Sequence, residues 1–191
     1  DYVLLEFYYS LTWVKNNIEI IRKFIDSIWN NYGYRVIYMP LDHTPVSQYL
    51  KSKVTSNHFS VIDFDDSYLK IEDALHLIKN AKSVLCNRYH ALVLSLENEV
   101  PVINIMKEVY DYRYYFNKNY GILTNAFYGL QFNEDDFLKI GPEDTFLWYA
   151  ENLMSIIEAQ SKLFSTNEYR TNKSKLKNSR AEYLEFIQQK Q

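Results

Sequence analysis

The sequence predicts an α/β fold in which an open parallel sheet carries helices on both faces. Three observations lead to this prediction. Apolar runs typical of strands alternate five times with segments of helical spacing. The connections between them are short, and the first run is apolar enough for a buried strand. Such alternation favours right-handed crossovers and therefore a parallel, Rossmann-like sheet.

Five segments are predicted as strands. The first is apolar and aromatic throughout, and Pro40 stops the second because proline cannot donate to a ladder. The fourth is short and passes into the next helix with almost no loop. The predicted strands are residues 2–9, 35–39, 59–64, 83–87 and 101–106.

Helical segments follow each of these strands. In the first, isoleucines at 18, 21, 25 and 28 share one face, and Gly33 stands where a helix commonly ends. Pro45 suits the first turn of the second helix. The predicted helices are residues 14–32, 45–52, 71–80, 89–96 and 108–119.

The pattern changes after the fifth helix. Residues 124–140 are acidic and loop-like, and Pro142 then begins a long helix. A basic stretch precedes a final helix at 180–189. We therefore expect two parts, a Rossmann-like α/β lobe and a helical C-terminal extension packed on it. They are residues 1–123 and 124–191.

Composition excludes several classes of protein. The chain has 191 residues and a net charge of −3, which argues against a nucleic-acid partner. No apolar run is long enough to span a membrane. The one cysteine, Cys86, cannot form an internal disulfide, so we expect a reducing, cytoplasmic setting.

Glycine and histidine spacing exclude other cofactor sites. The four glycines are scattered, which rules out Gly-rich loops for dinucleotides or nucleoside triphosphates. No two histidines have metal-ligand spacing. The acidic pair Asp63 and Asp65 is typical of a polar turn. We therefore expect neither a metal nor a cofactor.

The strongest candidate site follows the fourth strand. Ligands of open parallel sheets bind beyond the carboxyl ends of the strands. There Arg88 and His90 stand at a helix start, where free N–H groups and the helix dipole favour an anion. Arginine matches phosphate or carboxylate, and histidine can transfer a proton. The alternative is structural, with Arg88 paired to an acid and His90 capping the helix.

Four further residues are weaker candidates for substrate binding. Asn87 and Tyr89 flank Arg88 at the same strand end. Ser10 follows the first strand and His43 the second, so both are expected at the same edge of the sheet.

The segment Ala81–Ile105 resembles the signature region of the polysaccharide pyruvyl transferases. Their pattern is an apolar strand, Arg-x-His-Ala, an apolar helix, Val-Pro and another strand. This sequence supplies Arg88, His90 and Ala91, then Val100 and Pro101. It has Glu99 where the family usually has glycine before Val-Pro.

This resemblance implies a two-lobed, GT-B-like fold of which the chain is the C-terminal lobe. It implies transfer of a pyruvyl group from phosphoenolpyruvate to a hydroxyl pair of a cell-surface polysaccharide or its precursor, free or lipid-linked. The products are a pyruvate ketal and phosphate. His90 would act as general acid or base and Arg88 would bind the donor. The strand at the start of the chain adds the expectation that an N-terminal lobe is missing and that the chain alone turns over little.

Two alternatives stay open at this stage. A GT-B-type glycosyltransferase would use a nucleotide sugar and needs an acid near the later strands, for which Glu108 is the obvious candidate. A non-catalytic binding domain would instead bury Arg88 and His90 in internal pairs. The expected location is the cytoplasm, either free or at the inner face of the membrane.

Overall fold

The computed structural model describes residues 1–42, 44–66, 68–106 and 112–188. The strands are β1 (Tyr2–Glu6), β2 (Arg35–Tyr38), β3 (Phe59–Val61), β4 (Ser83–Cys86), β5 (Val102–Met106) and β6 (Leu138–Ile140). The helices are α1 (Leu11–Asn16), α2 (Ile18–Tyr32), α3 (Pro45–Lys53), α4 (Ile71–Lys79), α5 (Tyr89–Glu97), α6 (Tyr112–Ala126), α7 (Pro142–Phe164) and α8 (Asn167–Gln188).

The described residues form one six-stranded sheet in the order β3-β2-β1-β4-β5-β6, and every neighbouring pair is parallel. The predicted Rossmann-like open sheet is thereby confirmed. From β1 the chain builds outward to β3, and it then returns to place β4 on the other side of β1. The strand order therefore reverses between β1 and β4, which is where such sheets bind ligands.

Both faces of the sheet are covered by helices. Successive side chains of a strand point to opposite faces, so Val3 and Leu5 pack in one core while Leu4 packs in the other. The first core takes apolar side chains from α2, α3 and α7, and the second takes them from α4, α5 and α8. The sheet is thus buried on both sides, which explains its continuous apolar strands.

The first predicted strand and helix differ from the structure at their shared boundary. Strand β1 ends at Glu6 rather than Tyr9. The single helix predicted over residues 14–32 is two helices, α1 and α2, separated at Asn17, whose φ of −112° and ψ of 16° are not helical. Ser10 begins α1, since its Oγ accepts a hydrogen bond from Trp13 N at 3.1 Å.

A sixth strand lies in the segment that we predicted as loop. Strand β6 pairs with β5 from Asn104 opposite Leu138. It is only three residues long and has a single fully buried side chain, Leu138, so its sequence carries little strand pattern. The predicted helical extension therefore contributes one strand to the sheet, and α7 packs against α2 in the first core.

The last helix is longer than predicted. Helix α8 begins at Asn167, so the basic stretch before residue 180 is part of it. Two buried side chains explain this: Tyr169 donates a hydrogen bond to Leu96 O, and Asn172 Nδ2 donates to Tyr128 O at 2.8 Å. These anchors fix the first part of the helix although most of its described exposed side chains are polar.

Glu99 adopts a backbone conformation that favours glycine. Its φ is +60°, and it is the one non-glycine residue among those described with a positive φ. It lies between α5 and β5, directly before Val100 and Pro101. This turn therefore has the left-handed geometry that a glycine at this position would adopt without strain.

Candidate active site

A cleft of about 260 Å³ opens where β1 and β4 end. This is the point at which the strand order reverses. Four of the predicted site residues line it, together with residues from β5, α6 and the loop after β1. The lining residues are Tyr8, Asn87, Arg88, Tyr89, His90, Met106, Lys118 and Asn119.

Asn87 connects the two strand ends that form the cleft. Its Oδ1 accepts a hydrogen bond from Tyr8 N at 2.9 Å, and its own backbone N donates to Glu6 O at 3.1 Å. These bonds continue the β1–β4 ladder by one residue beyond Cys86. The exits of both strands are therefore held at a fixed separation, and Arg88 follows as the N-cap of α5.

The guanidinium of Arg88 is paired with two carboxylates. Its Nε lies 3.3 Å from Glu6 Oε1, and its Nη2 lies 3.1 Å from each carboxylate oxygen of Asp42. Its plane also stacks on the ring of Tyr8, with Cζ 4.6 Å from the ring centroid. The predicted acid pairing of Arg88 is therefore present, and Arg88 also lines the cleft.

Glu6 is the buried member of this cluster. Its side chain is 1% exposed, and Oε2 accepts a hydrogen bond from Arg88 N at 3.2 Å. Burial raises the pKa of Glu6 to about 7, although the charge and backbone N–H of Arg88 act in the opposite direction. A carboxyl group that ionises near neutrality therefore lies directly behind the cleft.

His90 occupies the first turn of α5 and is exposed. Its ring lies 6.0 Å from that of Tyr89, in an edge-on arrangement. Among the described residues no hydrogen bond holds the imidazole, so it does not cap the helix. An exposed imidazole on a cleft wall can reach a bound molecule and transfer a proton to it.

Lys118 and Asn119 line the cleft from α6, and sequence reasoning missed both. Lys118 Nζ lies 4.0 Å from the centroid of the Tyr89 ring. Within the described chain it makes no ion pair, in contrast to Arg88. Asn119 Nδ2 donates to Asn104 Oδ1 at 2.8 Å. Both residues lie at the end of the helix predicted over 108–119, and this position was the one sequence feature that could have pointed to them. The spacing of apolar residues does not show which end of a helix faces the cleft.

The remaining predicted residues lie elsewhere or cannot be described. Ser10 caps α1 and is not among the cleft residues. His43 and Glu108 fall outside the described residues. Asp63 pairs with Lys51, and the part of the chain that the structure describes contains no group of acidic, histidine or cysteine side chains suited to a metal.

A second depression of about 300 Å³ lies between α2 and residues 54–56. Although it is slightly larger, it is not at the strand ends. Its arginine, Arg22, is already bound to Glu19 and to Lys53 O. The cleft where β1 and β4 end is therefore the better candidate site.

The cleft combines features that suit a small anionic substrate. The N-terminus of α5 presents free backbone N–H groups, and Arg88, His90 and Lys118 surround it. Fold and site together define a Rossmann-like domain with a cleft suited to an anion at the point where the strand order reverses.

The family model for polysaccharide pyruvyl transferase matches residues 3–106, more than half of the chain, and the chain belongs to this family. The match runs from the second residue of β1 to the end of β5 and includes the segment from Asn87 to His90. Among curated proteins none matches the sequence closely enough to count as a relative. In residues 1–42, 44–66, 68–106 and 112–188, no helix is both long and apolar enough to cross a bilayer.

Proposed function

We propose that this chain provides the donor-binding cleft for transfer of a pyruvyl group from phosphoenolpyruvate to two hydroxyls of a saccharide. Membership of the family supports pyruvyl transfer to a polysaccharide in general. The observation that carries the finer proposal is the placement of Arg88 and His90. Both line one cleft at the N-terminus of α5, beside Lys118, whose cation makes no ion pair with any described residue.

The donor carries a phosphate and a carboxylate, and the cleft offers groups for both. Lys118 Nζ is in contact with the Tyr89 ring and can exchange this contact for an anionic oxygen. The first N–H groups of α5 and the positive end of its dipole both lie at the N-terminus of the helix, where they favour a second anionic oxygen. Arg88 retains Nη1, which hydrogen-bonds to none of the described residues.

The proposed reaction begins with protonation of the donor. A proton added to the methylene carbon makes it a methyl group and leaves an oxocarbenium-like centre at the adjacent carbon. One saccharide hydroxyl adds to this centre and gives up its proton. The C–O bond to phosphate then breaks, phosphate leaves with both electrons of that bond, and the second hydroxyl closes the ketal. The two hydroxyl protons balance the one taken by the methylene carbon and the one taken by phosphate.

His90 is the group proposed to move the proton. Its ring is exposed on the cleft wall and can donate as imidazolium to the methylene carbon, or accept from the attacking hydroxyl. Among the described residues, the carboxyl groups that contact Arg88 behind the cleft, those of Glu6 and Asp42, are both occupied by this pairing. The acceptor would reach the cleft from its open side, either as a free or as a lipid-linked saccharide.

The test is an assay of the full-length protein with phosphoenolpyruvate and a panel of acidic and neutral saccharides. We expect phosphate release together with a ketal methyl signal in the proton NMR spectrum of the saccharide. His90→Ala should nearly abolish both signals, and His76→Ala, on the exposed face of α4, should retain them. Tight binding of a nucleotide sugar, with no effect of phosphoenolpyruvate, would instead support the glycosyltransferase alternative.

A further inference from the structure

The buried carboxyl of Glu6 lies behind the cleft and has no role in the reaction proposed above. It belongs to the last residue of β1 and is held against Arg88 by two contacts, Oε2 to Arg88 N at 3.2 Å and Oε1 to Arg88 Nε at 3.3 Å. One side chain therefore fixes both the backbone and the guanidinium of the residue that begins α5.

The two carboxylates leave one part of the guanidinium available. Glu6 binds at Nε and Asp42 at Nη2, and Tyr8 covers one face of the plane. Within the described residues Nη1 makes no hydrogen bond. Because Arg88 lines the cleft while Glu6 does not, any anion in the cleft meets Arg88 rather than its carboxylate partners.

The charge of the cluster depends on Glu6. With Glu6 and Asp42 both ionised, two negative charges surround one positive charge, and the cluster as a whole repels an anion. With Glu6 protonated, the cluster is neutral, and the remaining acceptor oxygens can still hold Arg88 in place. The strength of anion binding should therefore change with the protonation of Glu6.

We propose that Glu6 is the positioning residue for Arg88, and that proton uptake by Glu6 makes the charge of Arg88 available to the anionic donor. The inference rests on the proposed function for the identity of the donor. The linkage itself requires only that an anion binds in the cleft.

The groups around Glu6 support this assignment. Its ionisation lies near neutral pH because burial raises its pKa to about 7. Among the described residues, the other titratable groups that face it are Tyr9, Tyr38 and Cys86, and burial raises the pKa of each well above its usual range. They stay neutral near pH 7, so within this part of the chain a change of charge behind the cleft in this range comes from Glu6.

The experiment measures sulfate binding to the protein between about pH 6 and about pH 8 by isothermal titration calorimetry. Sulfate is the probe because it does not titrate in this range. Histidines do change charge there, so His90 is replaced by glutamine in every sample. In this background, proton loss from Glu6 should weaken sulfate binding by up to about tenfold per pH unit above the midpoint.

Glu6→Gln should remove this pH dependence and keep sulfate binding near its low-pH strength throughout. Asp42→Asn is the second variant, since Asp42 is partly exposed and its loss should leave the fold intact. It should tighten binding at every pH but keep the pH dependence, with a midpoint at lower pH because the Asp42 charge raises the pKa of Glu6.

Identical pH profiles with and without Glu6→Gln would overturn the inference, as would an Asp42→Asn profile with no pH dependence. So would absence of sulfate binding at every pH. Phosphoenolpyruvate turnover is assayed separately on the protein with His90 intact. Linkage with sulfate but no turnover contradicts the proposed function alone, and turnover without linkage contradicts this inference alone.

Discussion

The side chain of Gln160 binds both backbone polar groups of Val102 in the way that a neighbouring strand would. Its Oε1 accepts from Val102 N at 2.7 Å and its Nε2 donates to Val102 O at 2.9 Å. Nε2 also donates to Asp136 O at 2.7 Å. Strand β6 pairs with β5 only from Asn104 onward, so this α7 side chain completes the edge of β5 before β6 begins.

The first prediction concerns the stability that this contact supplies. Gln160→Leu leaves the buried backbone groups of Val102 without partners, and each such group costs about 1–3 kcal/mol. We expect the free energy of unfolding to fall by about 2–5 kcal/mol in urea denaturation. The matched control is Gln48→Leu at an exposed position of α3, which should change it by less than about 0.5 kcal/mol. Equal losses in the two variants would show that Gln160 has no such role.

The second prediction concerns Glu6 and pH. A carboxyl whose pKa is raised on folding costs stability once it ionises. For Glu6 this cost begins near its ordinary pKa of 4.5 and is complete above about 7. The raised pKa of Glu6 corresponds to a loss of about 3 kcal/mol in the free energy of unfolding once the carboxyl is ionised.

Glu6→Gln should therefore become more stable relative to the unmodified protein as the pH rises from about 4.5 to about 7. Urea denaturation of both proteins at several pH values measures this difference. The titration of all other groups affects both proteins equally and therefore cancels. A difference that stays constant across this pH range is the contrary result.

The third prediction concerns His90 and the chemical step. His90 is exposed, so His90→Ala should change the free energy of unfolding by less than about 0.5 kcal/mol. The rate of phosphate release should fall about 10²–10⁴-fold, because a general acid or base is lost. Single-turnover measurement of phosphate release, with thermal unfolding as the control for folding, tests both parts. Retention of most of the rate would remove His90 from the mechanism.

The fourth prediction concerns Lys118 as a donor-binding cation. Lys118→Met removes a charge-assisted contact worth roughly 1.5–3 kcal/mol, which corresponds to roughly ten- to hundredfold weaker binding of phosphoenolpyruvate. Lys118→Arg should restore part of the affinity.

A matched control exists in β6, the strand next to β5. Lys139 Nζ lies 4.2 Å from the Trp148 ring centroid and is not a cleft residue. Lys139→Met therefore loses the same kind of cation–π contact but should leave donor binding unchanged. If the two variants weaken binding equally, Lys118 has no specific part in the site.

Much of the fold followed from local sequence pattern. Strands that alternate with helices in short connections determine a parallel sheet, and five of the six strands were predicted within a few residues. The short strand β6 was not, because three residues with one buried side chain carry too little periodicity. The separation of α1 from α2 at Asn17 was also missed, since the apolar spacing of α2 continues backwards through Val14.

The position of the candidate site was also accessible from the sequence, but its composition was not. Arg88 and His90 follow a strand directly and therefore had to lie at the carboxyl edge of a parallel sheet. That Glu6 and Asp42 both bind Arg88 is decided by tertiary structure. They lie 82 and 46 positions from it in the chain, and only the adjacency of β1, β2 and β4 brings their strand ends together. The approach of Lys118 likewise depends on how α6 packs. Local pattern determined the order of the elements, and the sheet order decided which charges meet.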